Sequence, residues 1–343
     1  MNISDIIIEL SEIAGPSGFE RGIADAARSY LGHYMDDVHT DVMGNVIGVK
    51  KCGRENAKKL MIDAHIDEIG FVITGYEEGL LRFASLGSTD IRMLPASEIK
   101  ILTKPPIIGV VDVLPPHTMK DGEADKALDK DELFIDIGLD QENAKKTVPL
   151  GTAAVYNAHA RRFGDNLICG KALDDRACFA AVLRAVELLK DETLDVDLYI
   201  MASAQEELGM RGAKTGAFSV MPDWCVVVDV DHAQTPDSKS QAKLKLGGGV
   251  AIARGPNMNR ALTEKAIDIA EKNKLKYQIT VEYSGNSGTN THAIQAAGAG
   301  VATALFSLPL RYMHSPVEVI STDDAETVAA LLYELAKSFE GVE

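Results

Sequence analysis

Apolar and polar positions along the chain follow two different patterns. Residues 1–65 and the residues after about 164 alternate between short apolar runs typical of strands and stretches with helical spacing. In the stretch 175–190, for example, one helical face carries Cys178, Ala181, Val182, Ala185, Val186 and Leu189. Strands that alternate with helices predict an α/β fold with a largely parallel sheet under helical cover.

The stretch from about residue 70 to residue 163 has a different pattern. Its short β-type runs, such as FVITGY, LLRFASL and IIGVVDVL, are separated by Gly, Pro and charged turns. We therefore predict a small β-barrel over 70–163, inserted into a first domain made of 1–69 and 164–343. The polar, Pro-containing segment 115–132 is predicted to be a mobile surface loop.

Composition narrows the class of protein. The chain has 343 residues, of which 46% are hydrophobic and 25% charged, a balance typical of a soluble globular protein. Its net charge of -16 disfavours nucleic acid and anionic lipid as partners. No apolar run has the length of a membrane span, and the N-terminus lacks the pattern of a signal peptide. With four scattered cysteines and no C-x-x-C pair, these features predict reduced thiols and a cytoplasmic protein.

Five short segments carry the candidate chemistry: MIDAHID, GKALDDR, SAQEELG, VVVDVD and RYMHSPVE. Each follows an apolar β-type run or precedes a helix, and the carboxyl ends of strands in an α/β sheet line the crevice where ligands bind. Their histidines and carboxylates suit Zn²⁺, Co²⁺ or Mn²⁺. Two metal ions about 3.5–4 Å apart need one bridging carboxylate and about two further ligands each. The five candidate ligand positions are His65, Asp174 or Asp175, Glu206 or Glu207, Asp229 or Asp231, and His314.

Each of these residues also has an ordinary explanation. Asp174 fits a helix cap, and His314 before Ser-Pro fits a structural role. Asp175 beside Asp174 and Asp231 near Asp229 are rival ligands. The metal hypothesis therefore depends on all five segments occurring together at strand ends.

Taken together, these segments resemble the M42 family of metallo-aminopeptidases over essentially the whole chain. The matching motifs are His65-Ile66-Asp67, Lys171 to Arg176, Gln205-Glu206-Glu207, Asp229 and Arg311 to Pro316. The resemblance implies a three-layer catalytic domain with a mixed sheet, over 1–69 and 164–343, and a PDZ-like barrel for oligomerisation. It also implies two divalent ions per subunit, Zn²⁺ or Co²⁺, short peptides as substrates, and a tetrahedral homododecamer built from dimers.

The resemblance also implies roles for seven of these residues. The resemblance implies that Asp174 bridges the metals, with His65 and Asp229 on one ion and Glu207 and His314 on the other. Asp67 would then hold the second ring nitrogen of His65. Glu206 would be the general base for a water that bridges the metals, because a carboxylate bound to metal, as Glu207 would be, has its basicity quenched.

Two other classes of function remain as alternatives. A glycan hydrolase needs two carboxylates that flank a sugar bond, and usually an aromatic platform, whereas this chain has one tryptophan, Trp224. If the protein were a non-catalytic metal-binding scaffold, we would expect a metal ligand or the general base to be missing. All five candidate ligands and the candidate base are present. One departure from the family pattern is Asn290, where members commonly have Asp; we expect altered substrate contacts or altered packing near the site. For the neighbouring His292 a structural role is favoured.

Overall fold

The computed structural model describes residues 2–113, 116–118, 132–236, 238, 244–283 and 288–339. Most of the predicted surface loop over 115–132 lies outside these described residues. Within them, no helix combines the length and the apolar character that crossing a membrane requires.

Helices and strands follow one another much as the hydrophobic pattern predicts. The chain opens with α1 (Ile3–Glu12), α2 (Arg21–Leu31), β1 (Asp37–Thr40), β2 (Val46–Lys50) and β3 (Lys59–His65). It continues with β4 (Gly70–Glu77), β5 (Leu80–Leu86), β6 (Glu98–Ile101), β7 (Ile107–Val111), β8 (Ile135–Asp136), α3 (Gln141–Thr147) and β9 (Ala153–Tyr156). The remaining elements are β10 (Arg161–Arg162), β11 (Leu167–Gly170), α4 (Leu173–Leu189), β12 (Asp197–Ser203), α5 (Arg211–Val220), β13 (Trp224–His232), β14 (Val250–Arg254), α6 (Arg260–Lys272), β15 (Tyr277–Val281), α7 (Thr291–Ile294), β16 (Ala302–Arg311), β17 (Glu318–Ser321) and α8 (Thr322–Lys337).

The large sheet is parallel at its centre and antiparallel towards its edges. Strands β12, β3, β13 and β16 lie side by side and run parallel, whereas β2 and β17 pair antiparallel on either side of them. The carboxyl ends of the four central strands therefore meet at one edge, where His65 lies opposite Ser203 and Asp229 lies opposite Ser307. The predicted α/β class and mixed sheet are confirmed.

Both faces of this sheet are covered, which makes the domain three-layered. Along β3, Leu60 and Ile62 pack into one hydrophobic core, whereas Met61 packs into a second core on the opposite face. This alternation is what a strand buried on both faces requires. The first core is closed by α1, α2, α4, α6 and α8, and the second by α5 and α7.

Strands β4 to β9 form a closed antiparallel barrel in the order β4-β5-β8-β7-β6-β9. Its centre contains Phe71, whose ring lies edge-on to those of Phe83 and Tyr156 at centroid distances of 5.4 and 5.3 Å. The predicted inserted barrel is confirmed. The barrel strands end at Tyr156, and the next strand, β10, pairs with β11 of the large sheet. The exact domain boundary at 163 stays a prediction.

Candidate metal centre

The five segments singled out in the sequence come together around one cavity of about 430 Å³. His65 ends β3, and Asp229 lies near the end of β13. Residues from the start of α4, from the turn after β12 and from the turn after β16 complete the cluster. All five candidate ligands and the candidate base line the cavity: His65, Asp174, Glu206, Glu207, Asp229 and His314.

Asp174 lies between the two histidines. Its Oδ1 is 3.0 Å from Nε2 of His65, and its Oδ2 is 3.3 Å from Nε2 of His314. The residue as a whole is 6% exposed, so few water molecules compete for the carboxylate oxygens. One oxygen towards each histidine is the arrangement that a bridging carboxylate needs.

The potential ligand atoms fall into two groups, each within 4.8 Å: His65 with Asp175 and Asp229, and Asp174 with Glu207 and His314. Asp175 therefore stays a rival ligand, and both of its buried oxygens lack a hydrogen-bond partner. Asp231 belongs to neither group of described residues. Its carboxylate instead accepts hydrogen bonds from the backbone N–H of His232 and the hydroxyl of Thr280.

The electrostatics of the cluster fit divalent cations. Burial, followed by the charge of Asp174, raises the pKa of Asp229 to about 8. Burial, with the nearby charges of Asp229 and Glu207, raises the pKa of Glu206 to about 9. Several buried carboxylates therefore face one another at a cost that bound cations would relieve. The donor set of imidazole nitrogen and carboxylate oxygen is one that Zn²⁺, Co²⁺ and Mn²⁺ accept.

Asp67 connects a candidate ligand with the candidate base. Its Oδ1 lies 3.4 Å from Nδ1 of His65, and its backbone oxygen lies 3.2 Å from the same nitrogen. The same carboxylate accepts backbone N–H groups of Glu206 at 3.0 Å and Glu207 at 3.1 Å. Asp67 thus fixes the orientation of the imidazole and the position of the turn that carries both glutamates.

Glu318 is a further buried carboxylate that the motif analysis did not assign. One of its oxygens accepts the N–H groups of Leu173 at 2.7 Å and Asp174 at 3.1 Å, and the other accepts that of His314 at 2.9 Å. Glu318 therefore holds together two of the three segments that supply the second group of candidate ligands, those that carry Asp174 and His314. In the sequence the only signal is its place four residues after His314.

Replacing Glu318 by Gln should loosen this arrangement, because the amide NH₂ cannot accept a backbone N–H. We expect metal affinity and activity to fall by roughly 10–100-fold, as for other residues that orient metal ligands. Asp324→Asn is the matched control, since Asp324 is equally buried and accepts the N–H groups of Gly247 and Gly249 outside the cluster. It should lower the free energy of unfolding by about 1–3 kcal/mol without changing metal affinity. Equal metal affinities in the two variants, measured by calorimetric titration, would contradict this role.

Asn290 is buried and does not line the cavity, although the preceding residues Gly288 and Thr289 do. Its side-chain amide donates hydrogen bonds to Asp63 at 2.8 Å and to the hydroxyl of Ser203 at 2.9 Å. Of the two effects expected from the absence of an Asp here, the structure supports altered packing. His292 lines an adjoining cavity of about 640 Å³ between α5 and α7, which shares Gly209 and Met210 with the first.

A three-layer α/β domain with histidines and carboxylates gathered at the ends of its central strands is the architecture of a metal-dependent hydrolase. The sequence profile of the family described as M42 glutamyl aminopeptidase matches residues 44–331. The chain belongs to the M42 peptidase family, and it is an aminopeptidase.

Individual relatives agree along nearly the whole chain. A lysyl aminopeptidase of Pyrococcus furiosus is 33% identical over 334 residues, which cover 95% of this chain and 94% of the relative. The structure of an aminopeptidase from Desulfurococcus kamchatkensis is similar with a TM-score of 0.90 and 34% identity, covering 98% of this chain and 94% of the other. The TET1 peptidase of Pyrococcus horikoshii, described as assembling into a tetrahedron or a large octahedral shell, gives a TM-score of 0.87 at 29% identity, with coverage of 98% and 100%.

Proposed function

We propose that this aminopeptidase works with two divalent metal ions, Zn²⁺ or Co²⁺. His65 and Asp229 would hold one ion, and Glu207 and His314 the other, with Asp174 between them. The position of Asp174, 3.0 Å from one histidine and 3.3 Å from the other, is the observation that carries this proposal. Such ions, when bound, polarise the scissile carbonyl and lower the pKa of water.

Glu206 is the proposed general base. It lines the cavity but belongs to neither group of candidate metal ligands among the described residues. Its backbone is held by Asp67, and burial raises its pKa, so its carboxylate can hold a proton inside the cavity. Glu206 would take a proton from the attacking water and donate it to the leaving amine.

Metal uptake should release protons. In the metal-free protein, burial lowers the pKa of His314, but hydrogen bonds with Asp174 and Glu207 outweigh it and raise the pKa to about 11. Burial raises the pKa of Asp229 to about 8. Both groups therefore hold protons at pH 7 that must leave before they can bind a cation. We expect the apparent metal affinity to rise between about pH 6 and pH 8, measured calorimetrically in two buffers with different ionisation heats. An affinity independent of pH would contradict these assignments.

The cavity favours peptides with a free N-terminus. An unblocked α-amine can donate several hydrogen bonds to carboxylates of the cavity wall, and when deprotonated it has a lone pair that a bound metal ion could accept. Acetylation turns the amine into an amide without that lone pair and with a single N–H donor, so we expect kcat/KM to fall at least about tenfold between a free and an acetylated short peptide of the same sequence. Equal rates on both peptides, followed by chromatography, would favour an endopeptidase or deacylase instead.

The described cavity wall offers little to a glycan. It contains no Phe, Tyr or Trp ring on which a sugar would stack. Trp224 packs elsewhere, with its ring 4.8 Å from that of Phe339. The carboxylates of the cavity form compact groups with histidines, whereas a glycan hydrolase needs a pair of carboxylates on either side of an open cleft. A glycan hydrolase is therefore the weaker candidate.

We further propose that the chain assembles into a tetrahedral dodecamer through the barrel, with 70–163 as the oligomerisation domain. The shells described for the Pyrococcus horikoshii relative support self-association. Light scattering of purified protein tests this proposal.

The four cysteines are free in the structure, which favours a reducing compartment, and we propose the cytoplasm.

The preferred N-terminal residue does not follow from the comparisons. The family description names glutamyl substrates, whereas the Pyrococcus furiosus relative is named for lysyl substrates. These side chains carry opposite charges, so the residues of the cavity decide which of them this chain prefers.

A further inference from the structure

The cavity contains more carboxylates than the proposed metal cluster uses. Besides the four carboxylates of the candidate ligands and base, Asp231 and Glu282 line the same cavity. We infer that these two residues form the subsite for the side chain of the N-terminal residue, and that this subsite selects lysine and arginine. The inference rests on the proposed aminopeptidase function and adds its substrate class.

Strand geometry places Asp231 beyond the metal cluster. Asp229 and Asp231 lie two residues apart on β13, so their side chains project from the same face about 6–7 Å apart. Asp229 is opposite Ser307 on β16, and Asp231 is opposite Pro309, closer to the carboxyl end of the strand. A side chain that extends from a peptide bound at the metals would reach towards Asp231.

Glu282 reaches the same place from another strand. The hydroxyl of Thr280, on β15, lies 3.4 Å from Oδ2 of Asp231. Glu282 follows two residues later, and its N–H donates to the carbonyl of Arg254 at 2.8 Å, which fixes its backbone. Thr280 and Glu282 lie two residues apart at the end of β15, so their side chains project towards the same face, and Asp231 and Glu282 both line the one cavity.

Charge balance then favours a cationic side chain. Two divalent ions would bring four positive charges, as many as the lining carboxylates Asp174, Glu206, Glu207 and Asp229 carry when ionised. Of the lining carboxylates, Asp231 and Glu282 then remain, and the one basic side chain among the described lining residues outside the metal cluster is His232. A substrate glutamate would add a third negative charge to this subsite, whereas a lysine or arginine would neutralise it.

The other walls of the cavity suit the stem of such a side chain. Met210 and Met313 are apolar, partly buried residues of the same lining. Lysine and arginine combine an aliphatic stem with a charged end, so they can contact apolar walls and carboxylates at once. A leucine would contact the walls but leave both carboxylates unpaired.

A panel of aminoacyl-anilides tests this subsite with the full-length, metal-loaded protein. For the unmodified protein we expect kcat/KM for Lys and Arg to exceed that for Leu by about tenfold or more, and Glu to be the poorest substrate. In Asp231→Asn and in Glu282→Gln, the ratio of kcat/KM for the Lys anilide to kcat/KM for the Leu anilide should fall by about tenfold. Asp268→Asn, on the exposed surface of α6, removes one charge from the same chain and should leave the ratio unchanged.

The outcomes separate the two levels of the proposal. If no anilide is hydrolysed with any metal, the proposed function fails. If Leu or Glu is the best substrate of an active enzyme, or if the ratio of Lys to Leu survives in both variants, the subsite assignment is wrong and the aminopeptidase stands. The two variants alter different strands, so misfolding of one leaves the other as the test.

Discussion

Replacement of Glu206 by Gln is expected to lower kcat by about 10²–10⁴-fold while the protein keeps its metal ions. The amide has nearly the same size but cannot take a proton from water or hand one to the leaving amine. The backbone N–H of residue 206 would still donate to Asp67, so the turn that carries Glu207 should keep its position.

The matched control for this variant is Glu142→Gln. Glu142 is exposed on α3 of the barrel, where it pairs with Lys146. That change should leave kcat and metal content as in the unmodified protein. Steady-state kinetics give kcat, and elemental analysis of the same samples gives the metal content. If Glu206→Gln turns over peptides at the normal rate, another group is the base.

Replacement of Asp174 by Asn should have the second large effect, through loss of metal. Asn keeps the size of the side chain but replaces one carboxylate oxygen by an amide nitrogen, which is no ligand for a cation. Because Asp174 contacts both histidines, both ions should bind more weakly. We expect metal affinity to fall by more than about 100-fold, beyond what supporting residues cause, and activity to fall with it.

Asp175→Asn is the informative partner of that experiment. Asp175 lies within 4.8 Å of ligand atoms of His65 and Asp229, and its oxygens lack partners. If Asp174 is the bridge, Asp175→Asn should weaken metal binding less than Asp174→Asn does. The opposite order, measured by titration of the metal-free proteins, would move the bridging role to Asp175.

Much of this site could be predicted from sequence because its residues follow strands. In a parallel arrangement, the carboxyl ends of neighbouring strands must meet, so His65 after one apolar run and Asp229 within another are brought together by the sheet itself. The choice between Asp174 and Asp175 needs the detailed path of the backbone at the start of α4. Sequence spacing does not encode that path.

The features of the site that the sequence did not predict depend mostly on contacts between distant segments. Glu318 holds Leu173 across 145 residues of sequence, and no local pattern predicts such a pair. The short strand β14 follows a Gly-rich turn, and its VAIAR run is too short to distinguish a strand from a buried helix by periodicity. Without β14 and its partner β15 in the sheet, nothing brings Glu282 near Asp231.

The most direct test of the account is a crystal structure of the metal-loaded protein, with anomalous diffraction recorded at the absorption edge of the metal. We predict two anomalous peaks that flank the carboxylate of Asp174. His65 and Asp229 should contact one peak, and Glu207 and His314 the other. A single peak, or two peaks that leave Asp174 uncoordinated, would contradict the proposed two-metal centre.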